Sequence, residues 1–195
     1  MSSIHSPFST ALQRLALASA FAAMTAQAQS NLSIYTDNLV NGFQDWSWAA
    51  HNLANTSPVH SGSYSISVTD VAWTGISFYQ AGFNSYEGGF NLSGYTNFSF
   101  WANGGSRGGQ QLQMYVQYGA TSGSTVLLSP LPTNSWRQYA VPLSTLGVAG
   151  VTNAFRFNIV LTPVIGSPRV GIFLLRDTGI RKGLESERCD QRIAT

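Results

Sequence analysis

The chain has 195 residues, of which 44% are hydrophobic and 9% charged, and its formal net charge is +2. Ten of its eighteen charged side chains (ten basic, eight acidic) fall in residues 169–195, and residues 29–168 contain no lysine. Nucleic acids and anionic lipids bind to patches of lysine and arginine, so this composition argues against both as ligands. A nearly uncharged body rich in Ser, Asn, Gln and aromatic residues suits a neutral, hydroxylated ligand.

The first 28 residues are predicted to be a secretory signal peptide. A short amino-terminal region ends at Arg14, an apolar segment follows over 15–28, and the segment closes on Ala26-Gln27-Ala28, the small-x-small pattern that signal peptidase cleaves. It is too short to span a bilayer, and no other apolar run reaches the roughly 18 residues that a spanning helix needs. The sequence therefore predicts a secreted, extracellular protein whose mature chain begins near Gln29 and has no membrane anchor.

Covalent cross-links are scarce in this sequence, whereas glycan acceptors are not. Cys189 is the single cysteine, so no intramolecular disulfide can form and the fold must rely on its hydrophobic core. Four Asn-x-Ser/Thr sequons begin at Asn31, Asn55, Asn91 and Asn97. They would accept N-glycans in a eukaryotic secretory pathway, so the sequence predicts a glycoprotein there.

Short alternating segments separated by Gly, Ser, Asn and Pro predict an all-β domain over residues 29–180. The expected strands are 63–68, 75–80, 96–101, 111–118, 125–129, 136–141, 154–161 and 170–175. Such a series fits an antiparallel β-sandwich or jelly roll. The glycine-rich residues 102–109 are expected to form a hairpin, and 142–147 a single helical turn. Residues 181–195 fit no strand and are predicted to be a disordered tail or an altered reading of the original C-terminus.

Alternation along three of these strands sorts their side chains into two faces. Leu112, Met114 and Val116 point one way, as do Phe98 and Phe100 on another strand. Phe155, Phe157 and Ile159 do the same on the third. If the three strands share a sheet, its opposite face carries Trp101, Gln113, Tyr115, Gln117, Arg156 and Asn158. Two interpretations remain open, a binding surface and an ordinary solvated sheet face.

Tryptophans in polar loops are a second candidate for ligand contact. Trp46 and Trp48 lie in a turn-rich stretch, where they could stack on sugar rings or anchor the core. We expect Trp46 to enter the core while Trp48 stays at the rim beside Trp73. Trp136, which opens a strand, is expected in the core, and Tyr79 and Tyr118 are left undecided.

Five segments together resemble one family: NGFQDWSW at 41–48, ANTSPVHSG at 54–62, FWANGG at 100–105, GQQLQ at 109–113 and VPLSTLG at 141–147. They are similar to galactose-binding-like β-sandwich domains of secreted polysaccharide-degrading proteins, many of which are carbohydrate-binding modules. The resemblance covers about residues 32–180. It implies a jelly-roll sandwich and a carbohydrate ligand, although function must be argued from the site because one fold serves many functions.

Members of this family close on a strand whose first Asp helps to hold a structural calcium. The corresponding segment here is 173–178, where Arg176 takes the place of that acid and Asp177 follows. Asp37 is the candidate ligand near the start of the domain. Calcium takes about six to eight oxygen ligands, and these carboxylates are few. We therefore expect no cofactor and no catalytic metal, and a structural calcium is the less favoured alternative.

Motifs for catalysis are missing from the sequence. A glycosidase needs two carboxyl groups flanking the scissile bond, and the four acids of the body are scattered at Asp37, Asp45, Asp70 and Glu87. His51 and His60 lie in polar sequence, where we expect surface loops, and their spacing matches no common metal motif. The Gly-x-Ser-x-Gly match at 104–108 lies in the glycine-rich loop with no helix expected after it, so it is not expected to form a nucleophile elbow. Copper-dependent polysaccharide monooxygenases need a mature chain that starts with His, and the predicted start is Gln29.

The leading interpretation is a secreted, non-catalytic module that binds a neutral polysaccharide or glycan, alone or beside a carbohydrate-active enzyme. Aromatic rings stack on the apolar faces of sugars while amide and guanidinium groups meet their hydroxyls. The candidate binding residues are Trp48, Trp73, Trp101, Gln113, Tyr115 and Arg156. The alternative is an extracellular structural or protein-interaction sandwich, and a polysaccharide hydrolase or lyase ranks third.

Overall fold

Alternating apolar and polar side chains build the strands of this protein, because successive residues of a strand point to opposite faces of its sheet. A computed structural model describes residues 31–80, 89–163 and 170–182, and over these residues the chain forms 12 strands. The predicted signal peptide and nearly all of the predicted tail lie outside the described residues. Numbered in chain order, the strands are β1 Leu32–Tyr35, β2 Phe43–Asp45, β3 Ala50–Asn55, β4 Ser65–Val71, β5 Gly75–Gln80, β6 Asn97–Asn103, β7 Leu112–Tyr118, β8 Thr121–Ser122, β9 Val126–Leu127, β10 Trp136–Pro142, β11 Ala154–Leu161 and β12 Val170–Arg181.

Two antiparallel sheets pack face to face. The first sheet has the order β10-β6-β12-β4-β3, with β1 also paired to β12. The second sheet has the order β2-β5-β11-β7-β8, with β9 also paired to β7. The predicted antiparallel β-sandwich is therefore confirmed. Within the described ranges the structure contains no apolar helix of the length needed to cross a membrane.

The core lies between the sheets and is rich in aromatic rings. Phe98 of the first sheet stacks on Phe157 of the second, with ring centroids 5.3 Å apart. The predicted inward side chains of β6 and β7 are buried. Phe155 differs from the expectation because the register of β11 shifts between Ala154 and Arg156, so its ring is half-buried and meets the edge of Tyr79 instead.

The sequence analysis did not predict the three strands at the start of the domain, β1, β2 and β3, and the reason is clearest for β2 and β3. β2 has 3 residues, too few to show a period, and β3 contains His and Asn, which have little preference for strands. Both lie at sheet edges, where one face or one side remains open. Tertiary pairing with β5 and β4 decides their conformation, and a single sequence carries no signal of that pairing.

The glycine-rich connection after β6 is not a hairpin, so that prediction is wrong. β6 belongs to the first sheet and β7 to the second, and the connection crosses between them. It packs on the segment before β10, where the amide of Gly104 donates to the carbonyl of Pro132 at 2.9 Å and the amide of Gly109 to Leu131 at 2.8 Å. The expected helical turn after β10 is present, closed by the amide of Leu146 donating to the carbonyl of Pro142 at 3.1 Å.

Candidate functional site

The outer face of the second sheet gathers most of the predicted polar side chains. Gln113, Tyr115 and Gln117 of β7 stand opposite Val160, Asn158 and Arg156 of β11. On the far side of β11, Arg156 stands opposite Tyr79 and Asn158 opposite Ser77 of β5. The prediction that these strands share one non-core face is confirmed for β7 and β11.

Trp101 does not lie on this face, so its predicted place among these residues is wrong. It belongs to β6, which pairs with β10 and β12 in the first sheet, on the opposite side of the sandwich. Alternation places a side chain on one side of its strand, but it does not say which sheet the strand joins. The candidate residues therefore divide between two surfaces.

Trp46 is on the outer face of the second sheet, and the prediction that it enters the core is wrong. Its amide donates to the carbonyl of Ser77 at 3.0 Å, which continues the β2 pairing with β5 beyond Asp45. Phe43 takes the core position of this segment, so Gln44, Trp46 and Trp48 alternate outward. The Trp46 ring is 48% exposed and stacks on Tyr79, with centroids 4.1 Å apart and planes inclined by 21°.

Trp48 and Trp73 extend this face at one end of the sheet. Trp48 is 44% exposed and Trp73 is 62% exposed, and the indole nitrogen of Trp48 donates to the carbonyl oxygen of Trp73 at 2.9 Å. Trp73 lies in the turn between β4 and β5 with φ of 71°, an unfavourable conformation for a bulky residue. The indole hydrogen bond therefore ties the Trp48 ring to the backbone of the turn that carries Trp73.

Arg156 lies over the aromatic rings of the face. Its guanidinium carbon is 5.1 Å from the Trp46 ring centroid and 5.7 Å from that of Tyr79, within the range of cation–π attraction. Its Nε atom is buried and has no hydrogen-bond partner among the described residues. Burial raises the pKa of the nearby Tyr115 phenol, and the positive charge of Arg156 opposes that rise.

Buried amides fix the polar side chains beneath this surface. Asn158 is fully buried, and its Oδ1 accepts a hydrogen bond from the Ser77 hydroxyl at 2.9 Å. Its Nδ2 points at Oε1 of Gln117 at 3.5 Å. These contacts orient Gln117 beside Arg156, so the donors and acceptors of the face are held in place before any ligand arrives.

The first sheet carries a separate aromatic cluster on its outer face. His60 stacks on Trp101 with ring centroids 4.0 Å apart, and its edge meets Trp136 at 5.6 Å. Trp136 is half-buried here, so the prediction that it lies in the core is wrong; Tyr139 and Val141 take the inward positions of β10. Nδ1 of His60 is 3.5 Å from Oδ2 of Asp177.

His51 is on β3, not in a surface loop as expected. Its Nε2 lies 2.6 Å from Oδ2 of Asp45, and its Nδ1 lies 2.8 Å from the carbonyl oxygen of Ala49. Burial raises the pKa of Asp45, but hydrogen bonds from Ser47 and His51 outweigh burial and hold that pKa below its usual range. The pair lies where the chain passes from the second sheet to the first.

The remaining described carboxylates hold loops. Oδ1 of Asp37 accepts hydrogen bonds from the amides of Ser63 at 2.7 Å and Tyr64 at 2.8 Å. Oδ2 of Asp177 accepts one from the Ser61 hydroxyl at 2.6 Å. Among the described residues, no three His, Cys, Asp or Glu side chains gather as a metal site would require.

The sequence analysis did not place three contributors on this face: Gln44 was not considered, Trp46 was expected in the core and Tyr79 was left undecided. Tyr79 lies in a correctly predicted strand, where its alternation with buried Phe78 was the usable signal. For Trp46 the signal was its two-residue spacing from Trp48, which is the spacing of side chains on one strand face.

Comparison with known proteins agrees with this architecture. No protein-family model matches the chain. It is 38% identical over 113 residues to an endoglucanase of Dictyostelium discoideum, a match that covers 54% of this chain and 15% of the endoglucanase. The chain thus spans a small part of that relative's length.

Solved structures with the same fold include parts of enzymes and an isolated module. An agarase is 11% identical, with a TM-score of 0.57 over 79% of this chain and 25% of the agarase. The family 11 carbohydrate-binding module of a cellulosomal cellulase of Clostridium thermocellum is 15% identical, with a TM-score of 0.51 over 82% of this chain and 99% of the module. These structures share the antiparallel β-sandwich fold of this chain, which agrees with the fold that the sequence resemblance implied.

Proposed function

We propose that this galactose-binding-like β-sandwich is a non-catalytic carbohydrate-binding module, and that the outer face of its second sheet binds a neutral polysaccharide or glycan. The observation that carries the proposal is the combination on one surface of exposed indole rings with fixed amide, phenol and guanidinium groups. Sugars need both kinds of group, because a pyranose ring has an apolar C–H face and a rim of hydroxyls.

The shape of this face favours a chain of sugars over a single one. One row of side chains runs across the strands from exposed Leu127 on β9, through Gln113 and Val160, to Trp48 beside Gly75. It crosses four spacings between neighbouring strands of about 4.8 Å each, or about 19 Å in all. Several linked sugar rings fit that length, with the Trp48 and Trp73 rings at one end.

Charge on the face favours a neutral ligand. Arg156 is the basic side chain of this surface among the described residues, and the other polar groups are uncharged amides and phenols. A strongly anionic polysaccharide is usually held by several basic groups, because each anionic substituent needs its own partner. One guanidinium among amides instead suits hydroxyl oxygens as acceptors.

The carboxylates support a non-catalytic role. Hydrolysis of a glycosidic bond uses two carboxyl groups that flank the bond. Asp37, Asp45 and Asp177 instead accept hydrogen bonds that hold loops and the crossing between the sheets. Among the described side chains, none of these three faces another carboxylate across the proposed surface.

A module of this kind suits a protein that works outside the cell beside a carbohydrate-active enzyme. The relationship to one segment of an endoglucanase and the fold shared with part of an agarase support such a partner. The predicted signal peptide, which lies outside the described residues, supports secretion. We include both features in the proposal.

A pull-down on insoluble cellulose, chitin, xylan, β-glucan and agarose tests the proposal. We expect retention on at least one of them, reduced about five- to thirtyfold by Trp48→Ala or Trp73→Ala, as buried contacts of an aromatic anchor allow. Trp101→Ala on the opposite side of the sandwich is the matched control and should leave retention unchanged. Thermal melting verifies that each variant is folded.

Contrary outcomes separate the alternatives. Lack of retention on every polysaccharide would overturn carbohydrate binding and favour a structural or protein-interaction module. Release of reducing sugar from the same substrates would show that the protein is an enzyme. If Trp101→Ala loses retention while Trp48→Ala and Trp73→Ala keep it, the binding site lies on the first sheet instead.

A further inference from the structure

His51 and Asp45 join the two sheets at the edge that carries the exposed tryptophans. Asp45 ends β2 of the second sheet, and His51 lies on β3 of the first sheet. The residues between them include Trp46 and Trp48. The direction of both indole rings therefore depends on how firmly this crossing segment is held.

Both imidazole nitrogens of His51 face oxygen atoms that can only accept a hydrogen bond. Nδ1 is 2.8 Å from the carbonyl oxygen of Ala49, and Nε2 is 2.6 Å from Oδ2 of Asp45. A neutral imidazole has one N–H group and can donate to one of the two. Both contacts are satisfied together by the imidazolium form beside an ionised carboxylate.

The same carboxylate extends this connection to the second sheet. Oδ1 of Asp45 accepts a hydrogen bond from the amide of Ser47 at 3.0 Å, and the Ser47 hydroxyl accepts one from the amide of Ser77 at 3.1 Å. Ser47 lies between the two tryptophans. A continuous series of hydrogen bonds therefore runs from His51 to β5 through the segment that presents the rings.

We propose that His51 and Asp45 are positioning residues that clamp Trp46 and Trp48 in a proton-dependent way, so that sugar binding is stronger at acidic pH than at alkaline pH. Loss of one proton from His51 turns a nitrogen lone pair toward an oxygen, and one of its two contacts is lost. The segment that carries Trp46 and Trp48 then becomes more mobile. A ligand must order the two indole rings when it binds, and the lost conformational entropy weakens its affinity. The pH dependence of sugar binding rests on the proposed function, whereas the proton-dependent hold of His51 and Asp45 on the two tryptophans does not.

Among the residues whose side chains the structure describes, other titratable groups near the segment do not account for such a dependence. His51 stands opposite apolar Val68 of β4, and among the described side chains Asp45 is the titratable one that contacts its imidazole. Tyr79 of β5 and Arg156 of β11 reach Trp46. Between about pH 5 and pH 8 a tyrosine side chain ordinarily stays neutral and an arginine side chain stays positively charged. Histidine is the side chain that ordinarily gains or loses its charge in that interval.

Nuclear magnetic resonance of the ligand-free protein tests the clamp directly. The indole N–H signals of Trp46 and Trp48 should shift with pH, with the midpoint shown by the ring nitrogens of His51. Those shifts should vanish in His51→Gln and persist in His60→Gln, a matched variant whose histidine stacks on Trp101 on the other side of the sandwich. Indole signals that do not follow His51 would overturn the proposal, and the wild-type titration alone suffices if a variant fails to fold.

Affinity electrophoresis tests the consequence for binding, with hydroxyethylcellulose, mixed-linkage β-glucan and agarose as the probes. Between about pH 5.5 and pH 8, the wild type and His60→Gln should lose about three- to fivefold in affinity, the upper part of the range for an ion pair that is partly open to solvent. His51→Gln should bind equally at both values, and persistence of the pH effect in that variant would overturn the proposal. If no probe retards the protein at either pH while the indole signals still follow His51, the proposed function fails and the clamp stands.

Discussion

Arg156 combines charge, ring stacking and unused donors in one side chain. Its guanidinium lies over Trp46 and Tyr79, and its buried Nε has no hydrogen-bond partner among the described residues. A guanidinium has five N–H donors in a planar fork and no acceptor. In the proposed complex, two neighbouring hydroxyl oxygens of a sugar would accept hydrogen bonds from the terminal N–H groups of that fork, because the buried Nε is out of reach of a surface ligand.

Substitution of Arg156 by lysine should therefore be nearly as damaging as substitution by glutamine. Lysine keeps the charge but loses the fork and the flat contact with the rings. We expect both variants to bind the retained polysaccharide about tenfold more weakly, a loss of about 1.4 kcal/mol, measured by isothermal titration or affinity electrophoresis. Wild-type affinity in Arg156→Lys would show that the charge alone is what the ligand uses.

At the scale of elements, the conformation of the glycine-rich connection after β6 is determined by the segment against which it packs. Gly108 has φ of 60°, and a Cβ placed on it would lie 2.2 Å from the Thr133 hydroxyl oxygen and 2.8 Å from the Thr133 amide nitrogen. Glycine is thus required here for two reasons, its conformation and its lack of a side chain. The close approach lets the connection cross from one sheet to the other.

Gly108→Ala should destabilise the fold more than Gly150→Ala does. Gly150 also has a positive φ, of 75°, but a Cβ there would meet nothing within 4 Å. The Gly150 variant should lose about 1 kcal/mol from conformational strain alone, and the Gly108 variant about 2–4 kcal/mol because the clash adds to the strain. Urea unfolding of both variants measures the difference, and equal losses would contradict the packing described for this connection.

At the scale of the whole molecule, the sandwich separates two aromatic clusters that are alike in composition. Trp46, Trp48 and Trp73 are exposed on one side, whereas Trp101 and Trp136 are half-buried beneath His60 on the other. The guanidinium of Arg156 lies over the first cluster, and a buried hydrogen-bond network fixes Gln117 and Asn158 beside it. The proposed carbohydrate-binding surface accordingly occupies one side of the molecule.

Low charge across the body predicts that binding depends weakly on salt. Screening weakens attraction between charged groups, but it has little effect on ring stacking and on hydrogen bonds to hydroxyls. Between about 50 mM and 500 mM NaCl we expect affinity for the retained polysaccharide to change by less than about twofold. A steep fall with salt in the same electrophoresis assay would indicate an anionic ligand and contradict the neutral one proposed.

The sequence by itself determined the fold class and the side of each strand on which a residue lies, because alternation of period two is a local property. It therefore placed Gln113, Tyr115 and Arg156 outward correctly. Only the tertiary structure decided which strands share a sheet, since hydrogen-bond pairing joins segments that are distant along the chain. That pairing separated Trp101 from the other candidates and brought Trp46 out of the expected core onto Tyr79.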